Sequence, residues 1–391
     1  MKSFEGLRSR RQHNISKEDI KAVITVLKGN WLTQGEYVEK FEKSIQSYCN
    51  VKYALSSNSA TSSLLLAYKA LGLGSGDYLW TSSNTFVSSS NSALLLGAKV
   101  DFIDINKDTF NMDMKVLENK LKNTKQNKLP KIVTPVHFSG LSCDMKKLYS
   151  LSKKYNFKIV EDASHAIGAS YKNKKVGSCE YSDAAIFSFH PVKIITTGEG
   201  GMFMTNDKDL AEKVHMLRTH GITRRKDLLQ KKEEGPWYYE QQDLGYNFRL
   251  TDMQSALGLS QMKRLDLFIK KRRLIAKRYF ELLKDSPLIL PVKKALGDSS
   301  WHFFSIRVNK DFYKTNKKDF FSKLHKESVA LNIHYIPVND QPYYQADSST
   351  YEPCFEARSF YEECISLPVY YDLTLKDQKY IVNKIFENLK F

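Results

Sequence analysis

At 391 residues, 42% hydrophobic and 12% aromatic, the chain can bury a large core and make up two domains, and it does not have the composition of a disordered protein. It has no run of about eighteen apolar residues to span a membrane, and no apolar stretch after its basic first residues to act as a secretory signal. Its five cysteines form no CxxC pair, which argues against zinc or a disulfide framework and fits a reducing cytoplasm. The net charge of +17 comes from lysines scattered along the chain without a nucleic-acid-reading motif, so it is read as a field that draws in small anions rather than nucleic acid.

Helical patterns are expected over Lys17–Lys28 and Glu36–Tyr48, on either side of a Leu32-Thr33-Gln34-Gly35 turn. A helix over Ala60–Leu71, a strand near Tyr78–Thr81, a helix over Val87–Leu96 and a strand over Lys99–Ile103 follow. Then come a strand over Ile132–Val136, a helix over Asp144–Tyr155, and strands over Lys158–Glu161, Ala184–Ser188 and Met202–Thr205. Alternating strands and helices imply an α/β fold, a mainly parallel sheet sandwiched by helices. The polar stretch Thr223–Gly235 reads as an exposed loop. One long helix is expected from Thr251 to about Leu283, with apolar positions at Met253, Leu257, Leu259, Met262, Leu265, Phe268 and Ile269. It opens a second domain, giving 1–255 as the large unit and 256–391 as a smaller α+β unit. In that unit Phe303–Val308 and Leu331–Tyr335 read as strands, and Lys317–Lys326 and Leu375–Leu389 as helices.

Chemistry concentrates at three places. Lys193 stands among Val192, Ile194 and Ile195, between the strand ending at Ser188 and the glycines Gly198, Gly200 and Gly201. Desolvation disfavours an ammonium, and a lysine of lowered pKa is suited to condense with an aldehyde, whereas the ordinary alternative is a snorkelling surface lysine. Asp162 follows the apolar run Phe157–Val160 with small residues after it and His165 close by. It sits at the strand end that faces the ligand crevice in open α/β sheets, although a carboxylate there also serves as a helix cap. Ser57-Asn58-Ser59-Ala60-Thr61-Ser62-Ser63 opens an apolar helix, where free N–H groups suit a phosphate. Together the three describe a site for pyridoxal phosphate.

These residues carry a resemblance to the DegT/DnrJ/EryC1/StrS family of sugar aminotransferases, which place an amino group on nucleotide-linked keto sugars. The resemblance runs from about Asn14 to Leu389. It rests on Leu32-Thr33-Gln34-Gly35, Asn58-Ser59-Ala60-Thr61, Glu161-Asp162-Ala163-Ser164-His165 and Ser188-Phe189-His190 with Lys193 and Gly198-Glu199-Gly200-Gly201, followed by Gly245-Tyr246-Asn247-Phe248-Arg249-Leu250 and His334-Tyr335-Ile336-Pro337. It implies fold type I, with Lys193 bonding pyridoxal 5′-phosphate and moving protons, Asp162 on the pyridine nitrogen and His165 near the ring oxygen. The phosphate would meet the backbone of Ala60, the residue Thr61 and the hydroxyl of Ser188, and Phe86 would stack on the ring. Asn247 would complete the phosphate site from a neighbouring subunit, implying a homodimer with shared active sites. The partner of Arg249, in the same crossing segment, stays open. Ala60 stands where much of the family has Gly, which is tolerable unless that position needs a positive φ.

Within the family, Asn30-Trp31-Leu32-Thr33, His190-Pro191-Val192-Lys193 and Asn332-Ile333-His334-Tyr335 are most similar to the branch that serves pseudaminic acid synthesis. That similarity implies a UDP-linked 4-keto-6-deoxy-N-acetylhexosamine of β-L-arabino configuration as acceptor. It also implies L-glutamate as donor, with 2-oxoglutarate left behind, and places Asn30–Thr33, Arg249 and Asn332–Tyr335 at the substrate. Arg10 or Arg11 departs from it, standing where a substrate-side Tyr is implied. A different nucleotide keto sugar, of the 4-amino-arabinose or perosamine type, and a non-catalytic cofactor-binding sensor stay open as alternatives.

Overall fold

The computed structural model describes residues 14–231, 234–308, 317–346 and 351–389. Seven strands form its central sheet: β1 (Tyr53–Ser57), β2 (Tyr78–Ser82), β3 (Lys99–Ile103), β4 (Ile132–Thr134), β5 (Lys158–Asp162), β6 (Ala184–Ser188) and β7 (Gly201–Thr205). Their order is β3-β2-β4-β5-β6-β7-β1. The first five run parallel, while β7 is antiparallel to both β6 and β1. Every residue of β6 and β7 is buried, as the continuous apolar runs of a sheet covered on both faces require. Side chains alternate between two cores. Ile186 and Phe203 join the cluster containing Leu64, Phe102 and Val214, whereas Ala185, Phe187, Met202 and Met204 join Phe41, Ile45 and Phe268. Helices α3 (Ala60–Ala70), α4 (Ser88–Leu94) and α7 (Lys208–Leu217) cover the first face; α1 (Lys17–Leu27), α2 (Glu36–Cys49), α5 (Met114–Asn123) and α6 (Met145–Tyr155) belong to the other side.

β1 is absent from the sequence expectations. Only half of its positions show a clear apolar signal and it runs into serines, so it forms because β7 offers it a full ladder. Instead of the single helix expected from Thr251 to Leu283, the chain forms α8 (Asp252–Met262) and α9 (Leu265–Leu282). The turn between them is held from the N-terminal segment. Gln261 Nε2 donates to Asn14 O and Asp19 Oδ2 at 2.9 and 2.6 Å, and Arg264 Nη2 donates to Asp19 Oδ2 at 2.5 Å. Apolar periodicity continues across this turn, so periodicity does not reveal it.

The second unit pairs β8 (Phe304–Arg307) with β9 (Cys364–Leu367), antiparallel. Its core gathers Ile275, Tyr279 and Phe280 of α9 with Phe304, Phe320, Leu324, Ile365, Ile381 and Ile385. The latter come in part from α10 (Lys317–Lys326) and, after α11 (Pro342–Gln345) and α12 (Phe355–Glu363), from α13 (Leu375–Asn388). Leu265, Phe268 and Ile269, at the start of α9, belong to the core of the large unit. A division inside α9, between Ile269 and Ile275, is therefore our proposal for the domain boundary.

The expected strand Leu331–Tyr335 makes only one bridge, from Asn332 to Ser366. Residues 333–338 leave that pair and cross to the large unit. There Tyr335 N donates to Asn84 Oδ1 at 3.1 Å and Val338 N to Ser83 O at 2.9 Å. Among the described residues no helix is long and apolar enough to cross a membrane.

Arg218 and Glu42, both buried, tie α7 and α2 to β1. Arg218 Nη1 donates to Glu42 Oε1 at 2.6 Å and to Ser56 O at 2.7 Å, and Glu42 Oε1 also accepts from Ser56 N and Oγ. Removing one partner strands the other charge. Glu42→Ala is expected to lower the unfolding free energy by about 3–5 kcal/mol in denaturant titration, whereas an exposed pair such as Glu39–Lys43 should contribute less than about 1 kcal/mol.

Candidate active site

The carboxyl ends of β1, β5 and β6 meet at one edge of the sheet and open into a cleft of about 880 Å³. At one end of the cleft, α3 begins at its N-cap Ser59, whose Oγ accepts from Ser62 N at 3.1 Å and whose carbonyl accepts from Ser63 N at 3.0 Å. The N–H groups of Ala60 and Thr61, in the first turn, have no intrahelical acceptor and point their partial positive charge at the cleft. Gly201 of β7 passes so close that an added Cβ would lie 2.4 Å from Ser59 O and 2.6 Å from Ala60 N. Ala60 is helical, so the methyl that replaces the family's usual hydrogen meets no backbone strain. The Ser188 side chain, at the end of β6, lines the same end.

Further in, the buried Asp162 carboxylate is fixed by Ser89 Oγ, which donates to Oδ2 at 2.6 Å, and by Ser164 N, which donates to Oδ1 at 3.2 Å. Lys193 sits on the β6–β7 loop, its backbone N–H on His190 O. Burial pushes its amine down to about 8, partly opposed by the Asp162 carboxylate, and among the described residues no hydrogen-bond partner holds Nζ. Three imidazoles share this environment, each displaced to lower pKa first by burial and then by Lys193. These are His165 and His302, well below the usual histidine range, and His334, at about 3. His165 Nε2 meets Tyr335 Oη at 3.0 Å, while its Nδ1 is buried without a partner. His334 Nδ1 meets Ser366 Oγ at 2.8 Å. Phe86 is 59% exposed and lines the cleft, its ring centroid 6.3 Å from that of Tyr335, so one aromatic face is open to a flat ligand.

The cleft thus brings together Ala60, Thr61, Phe86, Asp162, His165, Ser188, Lys193, Asn332, Ile333, His334 and Tyr335. It does not include the remaining residues expected at the substrate or at a shared phosphate site. Asn30, Trp31, Leu32 and Thr33 are exposed and away from the cleft of their own chain. The turn they lead into is a structural device, in which buried Asp252 accepts from Gly35 N and Tyr37 N at 2.8 and 3.0 Å and donates its own N–H to Leu32 O. Asn247 is exposed and bridges Thr219 through its backbone, and Arg249 is half-buried outside the cleft. Arg10 and Arg11 lie outside the described residues. Sequence reasoning missed Ser89, Ser164 and the Gln254–Glu199 contact (Nε2 to O, 2.9 Å) at the cleft rim. The run Ser88-Ser89-Ser90 was the only signal for the first, and it does not say which hydroxyl turns inward.

The chain matches the DegT/DnrJ/EryC1/StrS aminotransferase family over residues 13–386. It belongs to that family. A relative from Campylobacter jejuni, a UDP-4-amino-4,6-dideoxy-N-acetyl-beta-L-altrosamine transaminase, is 38% identical over 378 residues, 96% of each chain. Helicobacter pylori PseC, described as an aminotransferase in the biosynthesis of pseudoaminic acid, superposes with a TM-score of 0.88 at 34% identity, covering 97% of this chain and 98% of its own. The PLP form of the sugar aminotransferase Spr1654 from Streptococcus pneumoniae superposes at 0.85 and 26% identity, covering 97% and 99%. Aminotransferases of this family depend on pyridoxal phosphate. The cleft fits that group: unpaired N–H groups and a hydroxyl for the phosphate, an open aromatic face for the ring, a fixed carboxylate, an orphaned imidazole nitrogen, and an amine of lowered pKa.

The lysine also makes a stability prediction. Its pKa in the folded protein, about 8, lies below the 10.5 of an ordinary solvated lysine. Below pH 8 the folded cofactor-free protein carries the full burden of a buried ammonium; between 8 and 10.5 that burden fades, and above 10.5 it is gone. Cofactor-free Lys193→Met should therefore be more stable than wild type at pH 7, by up to about 3 kcal/mol at 1.36 kcal/mol per pKa unit. Denaturant titrations should show the gap closing as pH rises through that window, and a gap that is flat with pH would contradict the desolvation argument.

Proposed function

We propose that the protein transfers an amino group from L-glutamate to C4 of a UDP-linked 4-keto-6-deoxy-N-acetylhexosamine, in the manner of the C. jejuni and H. pylori relatives. The observation that carries the amino-transfer chemistry is Lys193, an amine half neutral near pH 8 facing one fixed carboxylate. The acceptor sugar rests on the relatives' names.

In this reading Ala60 N, Thr61 N and Ser188 Oγ hold the cofactor phosphate, as helix N-termini hold anions. Phe86 orients the ring, His165 faces its oxygen, and Asp162, kept in place by Ser89 and Ser164, keeps its nitrogen protonated. Pyridoxal phosphate, when bound, supplies an electrophilic carbonyl carbon and a ring that accepts electron density from the donor. Lys193 is the residue that would hold the group covalently, and its Nζ would move a proton between the donor's α-carbon and the bound group. An amine with a pKa near the working pH takes and gives a proton at low energetic penalty. His334 and Tyr335 form the wall against which the acceptor sugar lies, with Asn332 and Ile333 beside them. Asn247 and Arg249, outside the cleft of their own chain, are assigned to the partner subunit's site in a homodimer. The exposed Trp31 and Leu32 are assigned to the same substrate-proximal surface between subunits. The five cysteines are all buried free thiols, which fits the proposed location in a reducing cytoplasm.

The decisive experiment is a product assay with glutamate and UDP-linked 4-keto sugars of L-arabino and D-xylo configuration, with the amino sugar identified by mass and NMR. The L-arabino compound is expected to be preferred. A preference for the D-xylo epimer, or for another nucleotide, would overturn the acceptor assignment and leave the amino-transfer chemistry in place. The shared site has its own test. Lys193→Ala and Asn247→Ala proteins, each nearly inactive, are mixed and allowed to exchange subunits. Random exchange makes about half the dimers mixed, each with one intact site, so activity should recover to about a quarter of wild type by the symmetry of the dimer. No recovery after verified exchange would mean both residues serve one chain's site.

A further inference from the structure

Beside the cleft lies a smaller cavity of about 150 Å³ to which the roles above assign nothing. It shares Val192, Asn332 and His334 with the cleft, so it opens against the loop that carries Lys193. Arg272 of α9 forms part of its wall. That residue is 3% exposed, and its Nη1 donates to the carbonyl oxygens of Trp301, His302 and Val369 at 3.1, 3.0 and 2.7 Å. Its Nε and Nη2 have no acceptor among the described residues, and no carboxylate pairs with it there. A guanidinium buried in this way is costly unless an anion joins it. Consistent with this, burial alone pushes Arg272 down to about 10 with nothing to offset it. His302, 8% exposed, lines the same cavity with Nδ1 buried and unpartnered. A void of about 10 Å³ touches both Arg272 and Lys193.

We infer that this cavity is the subsite for a carboxylate of the amino donor, with Arg272 as its cationic partner and His302 Nδ1 as a second polar contact. The volume is too small for a nucleotide sugar, since pockets for larger ligands begin at about 300 Å³, but it suits one end of a small dicarboxylic amino acid. The free edge of the guanidinium offers the planar pair of N–H groups that a carboxylate matches. A neutral imidazole can donate from Nδ1 to the same group. A donor anchored there would present its amino group on the Lys193 side, while the acceptor sugar is read by the larger cleft.

This inference rests on the aminotransferase reading, and the two half-reactions separate it from the acceptor assignment. Absorbance follows conversion of the pyridoxal form by L-glutamate and, independently, return of the pyridoxamine-loaded protein by the keto sugar. Arg272→Met is expected to raise the glutamate concentration for half-maximal rate by about tenfold or more, with the sugar half-reaction changed by less than about threefold. Because Arg272 also ties three backbone carbonyls, a second variant keeps it in place. Ala330→Phe, at a half-buried position lining the cavity, fills the space and should give the same selective loss. Calorimetric binding of glutarate, a dicarboxylate without an amino group, should be weakened about tenfold in Ala330→Phe as well. If Ala330→Phe slows both half-reactions alike, or leaves glutamate and glutarate unaffected, the subsite is overturned whatever Arg272→Met does. Selective loss of the donor half-reaction in a protein whose wild type accepts no keto sugar would support the subsite while refuting the acceptor assignment.

Discussion

The amine of Lys193 is held where desolvation outweighs the one carboxylate that faces it, and the surroundings follow from that balance. Water would restore the charge, and a second carboxylate would lock it in place. The chain instead surrounds the amine with imidazoles that burial keeps neutral, at His165, His302 and His334. The effects reinforce one another, because any positive charge on Lys193 further disfavours protonation of the rings. Neutral rings in turn leave Asp162, among the described residues, as the charge that opposes desolvation of the amine. That carboxylate is itself occupied by Ser89 and Ser164, so it stays at a fixed position instead of moving to pair with the amine.

The sheet explains why these groups meet. Parallel β5 and β6 end at the same edge, delivering Asp162 and Ser188 there. An antiparallel connection must return to the edge it left, so the β6–β7 loop keeps Lys193 at that edge too. β7 then starts with Gly201 pressed against Ser59 and Ala60, which brings the N-terminus of α3 to the same place. A side chain at 201 would push the helix start away from Ser188, so one glycine couples the antiparallel strand to the phosphate end of the cleft.

How much of this could be read from residue order depends on the range of the interaction. Lys193, Asp162 and the Ser59–Thr61 helix start are legible because their chemistry is written within a few residues of each. The parallel strands β2–β6 are legible because each carries a short buried apolar stretch between helical patterns. β1 is not, since Tyr53–Ser57 is a short strand that ends in two serines and owes its form to β7, nearly 150 residues further on. The α8–α9 turn depends on Asn14 and Asp19, and the inward hydroxyl of Ser89 depends on where β5 ends; neither leaves a local mark. Within its own chain, Leu32-Thr33-Gln34-Gly35 has a structural reason to be conspicuous. Its glycine is required because a Cβ there would lie 2.8 Å from Asp252 Oδ1, inside the contact by which Asp252 accepts from Gly35 N and Tyr37 N.

The wall formed by residues 332–338 shows how two cores can make one rigid site. It begins on β9 through the Asn332–Ser366 bridge and ends on the large unit, where Ser83 and Asn84 bind Val338 and Tyr335 and Ser83 Oγ donates to Asn339 Oδ1 at 2.5 Å. Between these anchors Tyr335 reaches His165, so this wall of the cleft is tied by a hydrogen bond to the segment that follows Asp162. A wall fixed at both ends and in the middle cannot follow a ligand that does not fit. If that ligand is the acceptor proposed above, discrimination between sugar epimers would come from polar groups of fixed position, since an epimer that misplaces one hydroxyl would leave a buried partner unsatisfied.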